Sequence, residues 1–173
     1  MSTEKIIITL FAKDRPGIIR SLSNTVLDNR GNWLESSLSR LCGQFTGIVH
    51  IEIEAANKAS LISALKALSN DGIDIAVQDA QGVKADEGEV NGLQILVEAN
   101  DRPGIINEIT ESLARENVNI DNIDTEVASA SMAGYAIFRA HLFLAMPDDL
   151  SDNDLEEILE GVSDDLMVSI LEE

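Results

Sequence analysis

Aromatic side chains are nearly absent: Phe, Trp and Tyr together make up 3% of the chain. A core without them must be packed from Ile, Leu, Val and Ala. Cysteine occurs once, at Cys42, which excludes an internal disulfide and a multi-cysteine metal site. Basic residues are scarce, 12 Lys and Arg against 31 Asp and Glu, for a formal net charge of -19. They are scattered singly from Lys5 to Arg139 and form no cluster. A surface this acidic repels phosphate backbones and anionic headgroups, so direct nucleic-acid and membrane binding are disfavoured. No apolar run approaches membrane-spanning length, and Met1-Ser2-Thr3-Glu4-Lys5 lacks a signal-peptide pattern. The expectation is a soluble, cytoplasmic protein. Hydrophobic residues still make up 45% of the 173, enough core for one large domain or two small ones.

Proline is also rare, and two of the three prolines fall in one motif that occurs twice. Asp14-Arg15-Pro16-Gly17-Ile18-Ile19 returns as Asp101-Arg102-Pro103-Gly104-Ile105-Ile106, an offset of 101 − 14 = 87. The same offset pairs Asn32 with Asn119 and Gly47 with Gly134. That period is too long for a solenoid and suits a duplicated small domain. A polar, glycine-containing stretch between the copies reads as a linker, giving a first domain over 1–80, a linker over 81–91 and a second domain over 92–173.

Each copy has the same pattern. An apolar strand over 5–12, or 92–99, runs into the Asp-Arg-Pro-Gly turn. Ile18, Leu22 and Val26 then recur every fourth residue with Ile19 alongside, as do Ile105, Ile109 and Leu113 with Ile106. That spacing predicts a helix with one apolar stripe. Gly31 is placed to cap the first helix at its C-terminus. Two extended segments follow, over 33–41 and 45–54 about a turn at Cys42-Gly43-Gln44, and over 119–130 and 134–146 in the second copy. Leu61, Ile62, Leu65 and Leu68 mark one second helix; Leu155, Ile158, Leu159 and Val162 mark the other, with Ser151 and Asp154 at its start. Short strands near 73–79 and 167–171 close the copies. The order βαββαβ, twice, predicts an α+β chain of two ferredoxin-like modules, each a four-stranded antiparallel sheet with two helices on one face.

The motif has a chemical reading. Proline fits the first helical position, where no donor is needed, and glycine removes the Cβ where unpaired backbone N–H groups point outward. The positive end of the helix dipole favours a carboxylate there. Asp14 or Asp101 either caps the helix or offers its carboxylate to an ammonium group. A site with both features suits a free amino acid. The same residues also make an ordinary strand-to-helix turn, and a duplicated fold repeats its turns.

The strand, the Asp-Arg-Pro-Gly-Ile turn, the apolar helix and the Asn opening the next strand resemble the ACT domain, and the likeness covers nearly the whole chain. Asp101 to Ile106 with Asn117-Val118-Asn119-Ile120 is the clearer copy. The resemblance implies effector binding between the helix start of one module and the second strand of a neighbouring module. Carried over, it implicates Asp14, Arg15, Gly17, Ile18 and Asn32, and in the second copy Asp101, Arg102, Gly104, Ile105 and Asn119. Two copies and almost nothing else resemble the tandem-ACT repressors of glycine-cleavage genes. That subgroup implies glycine sensing, homo-oligomerisation and action through a protein partner such as a transcription activator, without direct DNA contact. Other proteins attach such modules to a catalytic domain, as in formyltetrahydrofolate deformylases, but no residues are left over here for one. The copies differ at Asn32-Trp33-Leu34-Glu35 against Asn119-Ile120-Asp121-Asn122, and Trp33 alters any pocket beside it.

Nothing else in the sequence carries chemistry of comparable weight. By the constant offset His50 pairs with Ile137 and His141 with Glu54, so the two histidines share no role. No nucleophile–base spacing and no metal-ligand cluster appears. From Asp148 to Glu173 there are eleven acidic residues and no Lys or Arg, which reads first as the solvated face of the last helix and second as a docking surface. Cys42 reads as a plain turn residue. The expectation is a non-enzymatic amino-acid sensor without cofactor or metal that modulates transcription of glycine-cleavage genes. The alternative is a regulatory subunit of a metabolic enzyme, ligand-free or amino-acid-responsive.

Overall fold

A computed structural model of the chain describes residues 2–80, 91–129 and 135–171. The chain separates into two compact units, Met1–Asp86 and Glu87–Glu173. The linker expected over 81–91 lies outside the described residues except for Asn91, which opens a strand.

The first module runs β1 (Thr3–Lys13), α1 (Ile18–Asp28), β2 (Asn32–Leu41), β3 (Gln44–Glu54), α2 (Ala55–Ala67) and β4 (Ile73–Asp79), with a 3-10 turn at Leu68–Asp71. The second runs β5 (Asn91–Asn100), α3 (Ile105–Arg115), β6 (Asn119–Ser129), β7 (Ala136–Met146), α4 (Asp152–Glu160) and β8 (Met167–Leu171). The sheet orders are β2-β3-β1-β4 and β6-β7-β5-β8, antiparallel throughout. The long first strand therefore lies inside each sheet, and the second and fourth strands are the edges.

Alternation sets the core. Ile6, Ile8, Leu10 and Ala12 are buried on one face of β1, and Val49, Ile51 and Ile53 match them on β3. Leu22 of α1 and Leu61 and Leu65 of α2 close over that face with no exposed surface. In the second module Ile109, Leu113, Leu155 and Leu159 do the same over Ile95, Val97 and Leu144. Truncating any one of these leucines or isoleucines to Ala costs about 2–5 kcal/mol. Ile19 and Ile106, expected beside the stripe, instead lie 50% and 36% exposed: only positions spaced by four stay over the sheet.

The ends of the helices correct the sequence reading in one place and support it in another. Gly31 is not the left-handed cap residue of α1; Arg30 is, at φ 62. The Arg30 N–H donates to Leu27 O at 2.9 Å and the Gly31 N–H to Val26 O at 2.8 Å, a Schellman motif. Asn117, at φ 56, and Val118 repeat it on α3. Gly31 is required for space, because a Cβ there would lie 2.9 Å from Val26 Cγ1. At α4, Ser151 is the N-cap as expected, its Oγ accepting the Asp154 N–H at 3.2 Å.

The register also corrects the constant offset. Leu10 pairs with Gly47, and Val97 with Ala140, so the counterpart of Gly47 is Ala140 and the offset on β3 is 140 − 47 = 93. The second hairpin is longer by 93 − 87 = 6 residues. Gly134 lies outside the described residues. By the same register His50 corresponds to Phe143 and His141 to Ile48, so the histidines remain unrelated, though with other counterparts than the offset assigned.

Candidate functional site

The Asp-Arg-Pro-Gly segment leaves the end of a central strand and enters the first helix. Its first residue is fastened in the same way in both modules: the Asp14 N–H donates to Gly43 O and the Asp101 N–H to Ala136 O, each at 2.9 Å. The turn that follows is tighter than the sequence reading has it. Pro16 and Pro103 do not stand at the first helical position; they precede the N-cap. The N-caps are Gly17 (φ 96, ψ −4) and Gly104 (φ 93, ψ −8), both left-handed. These are the angles of the third residue of a type II turn, with proline pre-set for the second. Neither N-cap has a side-chain hydrogen bond, so Asp14 and Asp101 do not cap the helices. The Gly17 and Gly104 carbonyls accept the first helical N–H groups, from Ser21 at 2.9 Å and Glu108 at 3.0 Å. The N–H groups at the helix start remain available to an incoming oxygen.

Beyond the backbone the modules differ. Arg15 turns away and donates from its guanidinium to Asp71 O at 2.7 Å, and Asp14 faces Arg40 at 3.5 Å. A Cβ placed on Gly17 would meet nothing within 4 Å, and the first turn of α1 has no acidic residue. In the second module Arg102 turns over the entrance and grips Glu108 with both guanidinium nitrogens, at 2.7 and 2.5 Å. Glu108 Oε1 then lies 3.9 Å from where a Gly104 Cβ would be. The fork with Arg102 holds the Glu108 carboxyl below its ordinary range and raises Arg102 in turn. Asp165 stands close by, its own carboxyl lowered by the Ser163 hydroxyl and the Asn100 N–H.

The remaining site residues separate. Ile18 and Ile105 are 3% exposed and face the core, so they can offer a ligand only their backbone. Asn32 and Asn119 are exposed at the start of β2 and β6, just ahead of a β-bulge that both strands share at Leu34 and Asp121. Asn32 pairs with Glu52, which pairs with Lys5, whereas Gly17 follows Lys13 at the other end of β1. Eight strand residues at about 3.4 Å each put the two roughly 27 Å apart. One module therefore brings Asp14, Arg15, Gly17 and the Ile18 backbone together and leaves Asn32 at its far end; the same holds for Asn119. The Asn119 side chain also donates to Asp121 at 2.7 Å.

A cavity of about 400 Å³ opens at the Asn32 end of the first sheet, on the face away from the helices, lined by Lys5, Ile7, Glu35, Ser37, Ile48 and His50. Glu35 and His50 Nδ1 are 2.9 Å apart across it. At the equivalent place in the second module, Gln94, Asn122 and Phe143 line about 280 Å³. The sequence reading missed Glu108 and this cavity. Glu108 was detectable by laying the copies side by side, since Ser21 stands at 108 − 87 = 21. No described helix is long and apolar enough to cross a membrane.

Residues 4–78 and residues 93–162 each match an ACT domain family model. The chain has no significant match among curated proteins. Among solved structures it resembles a protein of unknown function from Galdieria sulphuraria, 26% identical, with a TM-score of 0.80 over 99% of this chain and 100% of that one. It also shares its fold with a protein provisionally assigned as a glycine cleavage system transcriptional repressor, 15% identical, with a TM-score of 0.73 over 100% of both chains.

Proposed function

The chain belongs to the ACT-domain family, carrying two such domains in tandem, and from that premise we propose that it senses a small amino acid and thereby modulates transcription of glycine-cleavage genes through a DNA-binding partner protein. ACT domains are regulatory amino-acid-binding modules, so the proposal lies in the ligand and the target. The observation that carries it is the helix entrance at Gly17. A left-handed glycine after proline opens the helix, with nothing within 4 Å of where its Cβ would stand, at the positive end of a helix dipole. The Asp14 carboxylate, one-third exposed, stands ready for the ammonium group. A net charge of -19 argues for a protein intermediary between this chain and DNA. The repressor of the same fold supports the transcriptional direction.

Because Asn32 lies far from Gly17 within its module, the second-strand part of the site comes from a neighbouring module. The ligand acts by binding one assembled arrangement more tightly than another; equal affinity for both would shift nothing. Calorimetric titration with glycine, serine and alanine tests the sensing step. Heat is expected from at least one, with Asp14→Ala weakening it by about tenfold, the worth of one charge-assisted hydrogen bond. No heat from any of them at millimolar concentration overturns the proposal. Pull-down from the native organism with and without glycine then identifies the partner.

A further inference from the structure

We propose a second ligand site, independent of the helix entrance: the cavity on the free face of the first sheet takes an amino acid with an aromatic side chain. Three strands line it by register. Ile7, His50 and Glu35 share one rung across β1, β3 and β2, and Ile48 and Ser37 share a neighbouring one. Lys5, two residues before Ile7 on the same face of β1, stands diagonal to His50. The volume, about 400 Å³, is that of a small-molecule site and exceeds what glycine can fill. A polar atom of the lining lacks a partner. Glu35, as a carboxylate, only accepts, so the His50 Nδ1–H donates to it at 2.9 Å and Nε2 is left as an acceptor. That nitrogen is buried and has no hydrogen-bond partner among the described residues. Buried polar atoms are rarely left so, and a donor on an occupant of the cavity supplies what is missing.

The second module shows what fits. There Gln94, Phe143 and Asn122 stand for Ile7, His50 and Glu35, and Gly92 stands for Lys5. The Phe143 ring lies over Gly92, where a Cβ would be 2.8 Å from Cζ, and about 280 Å³ remains beside it. An aromatic ring built into one sheet face is thus matched, on the other, by a larger cavity flanked by charges of both signs. Those charges fix the rest of the occupant. Lys5 suits a carboxylate, and Glu35 with His50 Nε2 suits an ammonium group that donates to both. Glu52 faces Lys5 across the strands, but no ion pair joins them among the described residues. A net charge of -19 disfavours a simple anion and leaves a zwitterion unopposed. The ligand ring then lies against Ile7 and Ile48, as an apolar body held by a few polar groups.

The test is calorimetric titration of the full chain with phenylalanine and phenylacetate, in the wild type and in His50→Phe, Lys5→Met and Asp14→Ala, each checked for folding by its thermal transition. The wild type is expected to bind one phenylalanine per chain, and excess glycine is expected not to displace it. Phenylacetate, which lacks the ammonium group, is expected to bind at least about tenfold more weakly. His50→Phe, which copies Phe143 into the first module, is expected to abolish binding. Lys5→Met, at an exposed position, is expected to weaken it by about tenfold. Asp14→Ala is expected to change nothing. No heat from phenylalanine at millimolar concentration, or undiminished binding by folded His50→Phe and Lys5→Met, overturns the inference and leaves sensing at Gly17 untouched. Loss of phenylalanine binding in Asp14→Ala with retention in His50→Phe puts the ligand at the helix entrance, which overturns the inference and supports the sensing proposal.

Discussion

In the first module Arg15 reaches away from the helix entrance to the carbonyl of Asp71; in the second Arg102 folds back over it to Glu108. The backbones beneath are alike, with glycines at φ 96 and 93 and the same N–H to carbonyl bond fastening the aspartate. One helix position, Ser21 or Glu108, decides whether the arginine of the turn has a carboxylate to grip. Duplication has kept the turn, whose geometry needs proline and left-handed glycine, and has let the side chain four residues on diverge. The core diverges by compensation. Leu38 lies over Gly47 in the first module, whereas the matching pair in the second is Thr125 and Ala140.

The largest break in this equivalence is expected at that pair. Gly47 holds φ 155, and a Cβ would fall 2.1 Å from Ser37 O and 2.7 Å from Leu38 Cα. Gly47→Ala is therefore expected to destabilise the first module by about 3 kcal/mol or more, since backbone must move. Ala140→Gly should cost the second only about 1 kcal/mol, mostly from chain entropy. Urea unfolding followed by Trp33 fluorescence reads the first module, because Trp33 is the single tryptophan, and the same titration followed by backbone circular dichroism reads both modules. Equal effects of the two substitutions would remove the asymmetry.

A smaller effect is expected at Gly31, whose counterpart in the second module is Val118. Gly31→Val copies the second module into the first, but its Cβ meets Val26 Cγ1 at 2.9 Å and Ile51 Cγ2 at 3.3 Å. Overpacking should cost about 1–3 kcal/mol by the same fluorescence assay. A neutral result would mean that α1 shifts to make room.

The smallest differences are those with pH. Lys58 is raised by Asp79 and then Glu4, at 2.5 and 2.6 Å, and ties α2 to β4 and β1. Its contribution is complete below the ordinary lysine value and is lost as pH rises through the raised one. The guanidinium pairs of the second module stay charged there. Glu108 and Asp165 are lowered, so their contribution is complete above the ordinary carboxylate range and is lost as pH falls through the lowered values. Alkali should thus loosen the first module and acid weaken the second. Hydrogen exchange at both extremes checks this; solvent screening keeps either effect small.

Most of the fold was legible in the sequence because it rests on period. Ile18, Leu22 and Val26 specify a helix face, and the closing strands at 73–79 and 167–171 match the expected ranges. What escaped depends on details that period does not carry. Proline is acceptable both at the first helical position and in the second place of a type II turn, and only the glycine angles decide for the turn. A constant offset cannot show that the second hairpin is six residues longer, which displaced every equivalence on β3. At the candidate site, the aspartate, arginine and glycine are contiguous and so were found together. Asn32 was grouped with them by resemblance, and sheet order carries it to the far end. Glu108 was passed over because an acid in a first helical turn is ordinary; its meaning comes from where Arg102 points.

The claim at the centre is that a free amino acid docks its carboxylate on the N–H groups following Gly17. Backbone amide NMR of the full chain, titrated with glycine, serine and alanine, addresses those groups directly. The Ile18 and Ile19 amides are expected to move in a saturable way. Saturable shifts confined to other residues, with Ile18 and Ile19 unmoved, would contradict it.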